Sequence, residues 1–275
     1  MCFVNINNMF NFSRNKASFG LLDDTIDYSN KKKEEEKREL EKLDLSKIIQ
    51  VEFPNTHYFR EQTDKHQIVL HHTVSGRGVE GDIRWWLQNS ARIATSIIID
   101  WKGDKYQCFS SQYWAHHLGV PQQFLANRGF KDYKTRNVKL NKGSIGIEID
   151  AWGGLVRHNR QWYPAIWDKK LKKNVANTRV KPIQNVTTYP DGYRGFYGYE
   201  SYTHEQIEAV RKLLVFWSER YGISLKYNND MWNVSNKALS GEPGVWSHTS
   251  YRDDKSDCHP QSELVEMLKS NEQNK

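Results

Sequence analysis

Long apolar runs are missing from this chain. No window approaches the roughly 18 consecutive apolar residues that a membrane-spanning helix needs. With 37% hydrophobic residues and a mean hydropathy of -0.82, a water-soluble protein without stable membrane insertion is expected. The first ten residues carry neither a basic start nor a continuous apolar core, so no secretory signal is expected. Cysteine is scarce as well. Cys2, Cys108 and Cys258 are too few and too scattered for a disulfide framework, which fits synthesis in a reducing compartment. Positive excess is absent from the first 50 residues, where nine Lys/Arg meet nine Asp/Glu, so the net charge of +7 belongs to residues 51 to 275. A basic region of that kind favours a polyanionic target. The glycine-rich stretch after Thr73 is not followed by Gly-Lys-Ser/Thr, which excludes a phosphate-binding loop of that type.

The present features divide the chain. Residues 1 to 30 have no hydrophobic period and read as poorly ordered. Residues 31 to 49 are mixed-charge helix formers and predict a solvated linker helix. Together they make an N-terminal extension over 1–50, ahead of a catalytic domain over 51–270. Within that domain, Gln67 to Thr73 is a short aliphatic strand ending in His71 and His72. A helix is expected behind Asp82 as its acidic N-cap, carrying Ile83, Trp86 and Leu87. Ile93 to Asp100 and Lys105 to Phe109 read as a hairpin, and Gly143 to Asp150 as a strand with Glu148 on the face opposite its isoleucines. Residues 151 to 202 are rich in Trp, Tyr, Lys and Gly without a sustained period, and read as a surface insertion containing short strands. Thr203 and Gln206 then make a capping box for a helix that Gly222 closes.

Chemistry concentrates at two places. His71 and His72 end a buried strand, where α/β folds carry their sites. Far along the chain, His248, Lys255, Asp257 and Cys258 offer an imidazole, an ammonium, a carboxylate and a thiol. A catalytic zinc takes three such ligands and keeps one position open. Either histidine alone is better read as a packed or surface imidazole; the pairing of the two stretches is what suggests a shared metal.

The motifs Ile68-Val69-Leu70-His71-His72-Thr73, Trp114-Ala115-His116-His117-Leu118-Gly119, Gly143-Ser144-Ile145-Gly146-Ile147-Glu148 and His248 with Lys255-Ser256-Asp257 occur in an order that resembles the type-2 N-acetylmuramoyl-L-alanine amidases. That family includes phage endolysins and peptidoglycan recognition proteins. The resemblance runs from about Gln67 to Leu264 and mostly omits residues 151 to 202. It implies an α/β fold, a central mixed, mainly β-sheet flanked by helices, with a Zn2+ site at one end of the sheet. By position it implies His71, His248 and Asp257 as metal ligands, with Cys258 the competitor of Asp257. It implies Glu148 and Lys255 as catalytic residues, and His72 and His117 as substrate-binding residues, His72 alternatively packing beside the ligand. Some members use a tyrosine where this chain has Thr95, which shifts the proton-carrying role to Glu148. The implied substrate is bacterial peptidoglycan, cut between N-acetylmuramic acid and L-alanine by a monomer made in a host cytoplasm and released to the wall. The alternatives are a peptidoglycan-binding module of the same fold without turnover, disfavoured by the full ligand set, and nucleic-acid binding, which rests on composition alone.

Overall fold

The computed structural model describes residues 42–271. The expected disorder over 1–30 and most of the linker helix lie outside them. Where that helix enters the described residues it is absent. Leu45–Lys47 is a single 3-10 turn capped by Asp44, and Ile48–Gln50 is a strand, β1. Adjacent Ile48 and Ile49 suit an extended chain with one side chain turned inward, and Ile49 is the buried one.

The chain continues through β2 (Gln67–His72), α1 (Glu80–Gln88), β3 (Ile97–Ile99), β4 (Lys105–Gln107), α2 (Gln122–Asn127), α3 (Tyr133–Gly143) and β5 (Ser144–Ile149). Strands β6 (Gly154–His158), β7 (Gln161–Asp168), β8 (Lys173–Ala176), β9 (Val186–Tyr193) and β10 (Phe196–Glu200) come next. They are followed by α4 (His204–Tyr221), α5 (Asn236–Ser240), β11 (Gly244–Ser247) and α6 (Ser262–Ser270). The fold is mixed α/β. A six-stranded sheet of order β1-β4-β3-β5-β2-β11 is flanked by helices. Neighbours β3, β5, β2 and β11 run parallel, and β4 turns back antiparallel to β3. Parallel strands covered on both faces read as unbroken apolar runs. Accordingly, every residue of β2 is buried.

Alternation along the strands builds two cores. Ile97, Ile99, Ile145, Ile147 and Ile149 face α4, whose Val210, Leu213, Leu214 and Trp217 form its buried stripe. Ile98 points the other way, into a smaller cluster with Ile83 and Trp86 of α1 and Phe53. Each fully buried aliphatic side chain contributes about 1.5–3 kcal/mol. Helix α4 opens on the Thr203/Gln206 capping box and closes on Gly222 at φ 67, a left-handed cap that glycine adopts without strain. Helix α1 starts earlier than expected. Val79 is its N-cap, and Asp82, within the first turn, accepts from Ser75 Oγ at 2.8 Å.

Residues 154–200 make a second, antiparallel sheet of order β8-β7-β6-β10-β9.

Candidate metal centre

Strand register brings the site together. His71 lies beside Glu148 across the β2/β5 pair, and Ser247 beside Leu70 across β11/β2, so His248 leaves its strand next to His71. All sit at the carboxyl ends of parallel strands. Glu148 also pairs with Ile98, so His71, Glu148 and Ile98 share the face that looks into the smaller core. His72, one residue on, points to the opposite face.

Three acceptor atoms converge. His71 Nδ1 is 3.1 Å from His248 Nδ1 and 3.3 Å from Asp257 Oδ2, and His248 Nδ1 is 2.9 Å from the same oxygen. Four tetrahedral ligands at zinc bond lengths stand about 3.3 Å from one another, so the triangle has the right size for one ion.

The proton inventory gives the same answer. Leu118 O lies 2.9 Å from His248 Nε2 and can only accept, so His248 carries its proton there and leaves Nδ1 bare. Ser144 Oγ donates to Leu140 O at 2.7 Å and therefore accepts from His117 Nε2 at 2.8 Å. His117 Nδ1 is then the acceptor for His71 Nε2 at 3.0 Å. That bond leaves His71 Nδ1 bare as well. Burial, reinforced by His248, pushes the His71 imidazole down to about 4, so it is neutral near pH 7. The His71 and His248 Nδ1 atoms and the Asp257 carboxyl thus converge on one point, the donor set that a divalent cation takes. The residues fit a divalent metal.

Cys258 does not join them. Its thiol is fully buried on the Tyr202 side, and burial drives it well above the ordinary range. Burial likewise raises Glu148, with Asp257 and Asp82 adding repulsion and Lys255 opposing it. The charge of Lys255 also reaches His71.

His72 and His117 lie outside the triangle. His72 is 3% exposed; its Nδ1 is 2.8 Å from Tyr202 Oη, and its Nε2 has no partner. A Cβ on Gly153, whose φ is 69, would strike that nitrogen. Both ring nitrogens of His117 are engaged, by His71 and Ser144, which makes it the residue that orients His71. Asn141 fixes its loop, accepting from the backbone N–H of His117 at 2.7 Å and of Leu118 at 3.1 Å. Thr95 is buried and donates to Ile97 O at 3.0 Å.

Sequence reasoning missed the grip of the second sheet on the ligand-bearing segments. Tyr193 Oη lies 3.0–3.3 Å from Trp232 O, Thr249 Oγ1 and Cys258 O, with one proton to donate among them. Tyr189 Oη pairs with His259 Nδ1 at 2.8 Å, and Tyr199 stacks on the His259 ring at 4.6 Å. The tyrosine density of residues 189–202 was the available signal.

The profile of a family described as N-acetylmuramoyl-L-alanine amidase matches residues 61–260. No curated protein matches. Solved structures similar to the chain include a mutant endolysin from Bacillus subtilis at 15% identity, covering 82% of this chain and 97% of that one, TM-score 0.44. The N-acetylmuramoyl-L-alanine amidase LysC from Clostridium intestinale URNW is 14% identical, covering 83% and 99%, TM-score 0.41. Staphylococcus aureus hydrolase AmiA, solved with its ligand, is 13% identical, covering 89% and 91%, TM-score 0.44.

Proposed function

The chain belongs to the N-acetylmuramoyl-L-alanine amidase family, and from that premise we propose that it is a zinc-dependent hydrolase cutting the amide between N-acetylmuramic acid and L-alanine in peptidoglycan. The observation that carries the reading is the convergence of His71 Nδ1, His248 Nδ1 and Asp257 Oδ2, with Glu148 beside His71 in the sheet. Zinc held there supplies a Lewis acid that polarises the scissile carbonyl and lets water act as a nucleophile near neutral pH.

The protein's own groups do the rest. Glu148 takes a proton from the attacking water and passes it to the departing L-alanine nitrogen, so water and amide become a carboxylic acid and an amine. Its raised affinity for protons suits a group that must accept one and give it back. Lys255 brings a fixed positive charge toward the oxygen on which negative charge develops. His117 holds His71 in the tautomer that presents Nδ1, and Leu118 O does the same for His248.

The biological setting completing this reading is a phage lysin that folds in the host cytoplasm and meets the wall after release. The family's membership and the two free, buried thiols among the described residues support it. Incubation of the protein with purified walls tests the chemistry. New L-alanine amino termini are expected, lost in Glu148→Gln and on chelation. Release of reducing sugar ends without new amino termini contradicts the assignment.

A further inference from the structure

The second sheet carries an open groove of about 830 Å³ whose lining includes none of the metal triangle. Its lining includes Trp162, Trp167, Phe196 and Tyr197, with Arg157 and Lys173 among them. Trp167 and Tyr197 are 61% and 62% exposed, which is expensive for aromatic rings with no partner. Two glycines let the other rings lie flat on the backbone. A Cβ at Gly198 would come within 2.8 Å of Trp162, and one at Gly154 within 2.6 Å of Phe196. The rings form a platform made by the sheet itself.

Charge marks the same region. Residues 151 to 202 hold nine Lys/Arg against three Asp/Glu, which places +6 of the chain's +7 in this segment. Eight of the nine basic residues are exposed. Among the described residues, the ion pair that reaches the segment joins Glu200 to Arg77 and uses none of the nine. Unpaired positive charge around an open, aromatic-lined groove concentrates an anionic polymer there.

We propose that this groove is a second binding site, for the glycan strand of peptidoglycan. The proposal rests on the amidase reading above. Pyranose rings offer flat C–H faces to the aromatic platform, and the carboxylates of the stem peptides meet Arg157 and Lys173. Tyr189 lines the groove and also bonds His259, two residues beyond Asp257, so a strand seated here runs alongside the segment that carries a metal ligand. The enzyme would then hold the strand whose stem peptide it cuts.

The test measures co-sedimentation of the intact protein, on ice, with sacculi stripped of phosphate polymers, and in parallel the hydrolysis of soluble N-acetylmuramoyl-L-alanyl-D-isoglutamine. Trp167→Ala, Tyr197→Ala and Lys173→Glu change exposed side chains and spare the fold. They are expected to lower retention on stripped sacculi about tenfold and leave hydrolysis of the small substrate within about twofold. Retention that falls in these variants although no small substrate is cut would sink the amidase reading and keep the groove. Unchanged retention in all three variants overturns the proposal. So does binding of the parent protein only to walls that keep their phosphate polymers, or tighter capture by single-stranded DNA than by sacculi.

Discussion

His71 uses its two ring nitrogens for different ends, Nε2 donating to His117 while Nδ1 faces His248 and Asp257. If that division sets the metal site, removing the donor's partner loosens the ion without removing a ligand. His117→Ala is expected to weaken zinc binding by about 10- to 100-fold, read by competition with a chromophoric chelator. Unchanged affinity would mean that packing alone holds the ring. Asp150 offers a second prediction at this scale. It is 3% exposed, Oδ1 has no partner, and burial pushes its carboxyl up to about 7 despite the hydrogen bond from Gly78 N. The folded state therefore keeps a proton that the unfolded chain releases near its ordinary value. This group's contribution to stability falls as pH rises from about 4 to about 7 and is flat above. Asp150→Asn should remove the loss, gaining on the order of 2–4 kcal/mol relative to the parent between about pH 5 and about pH 8 in urea unfolding. Parallel pH profiles for the two proteins would contradict this. The residues of the triangle were legible because each sits in a short motif. The links from Ser144 through His117 to His71 were not, since they join three separate stretches and exist only in the tertiary structure.

Among the elements, β9 and β10 act on the site from outside the central sheet. Tyr193 ties the His248–Ser250 turn to the Cys258 backbone, and Arg194 adds a bond to Thr249 O at 3.2 Å. Each buried bond is worth about 0.5–1.5 kcal/mol net. Tyr193→Phe should lower stability by about 1–2 kcal/mol and speed zinc loss to a chelator severalfold. Loss of stability with unaltered zinc release would make Tyr193 a structural residue alone. At Gly153 an alanine meets both a left-handed φ of 69 and the His72 ring, so Gly153→Ala should cost about 1–3 kcal/mol in urea unfolding. Helix α4 was fully legible, since its capping box, apolar stripe and closing glycine all agree. Helix α3 left almost no trace. It is rich in Lys and Asn and buries only Leu140, Asn141 and Gly143, too few to set a period. Strand β1 was hidden because the charged run before it is a good helix sequence and the sheet that recruits it lies far along the chain.

For the molecule as a whole, topology turns distance in sequence into contact. Parallel β2, β5 and β11 bring residues 71, 148 and 248 to one edge of the sheet, and the loop after β11 folds Asp257 back onto them. No periodicity in the sequence specifies that order of strands. The motif resemblance implied a mixed sheet with a metal site at one end but no strand order, and the second sheet, mostly outside the resemblance, had to be seen. If the proposed zinc binds the folded state, stripping it should lower the thermal midpoint, with recovery that depends on zinc concentration. The most direct measurement is elemental analysis of the purified protein beside His248→Ala and Asp257→Ala. One zinc per chain in the parent and markedly less in both variants, in step with loss of new L-alanine amino termini, is the predicted result. A parent protein that releases L-alanine amino termini at full rate with no bound metal would contradict the account.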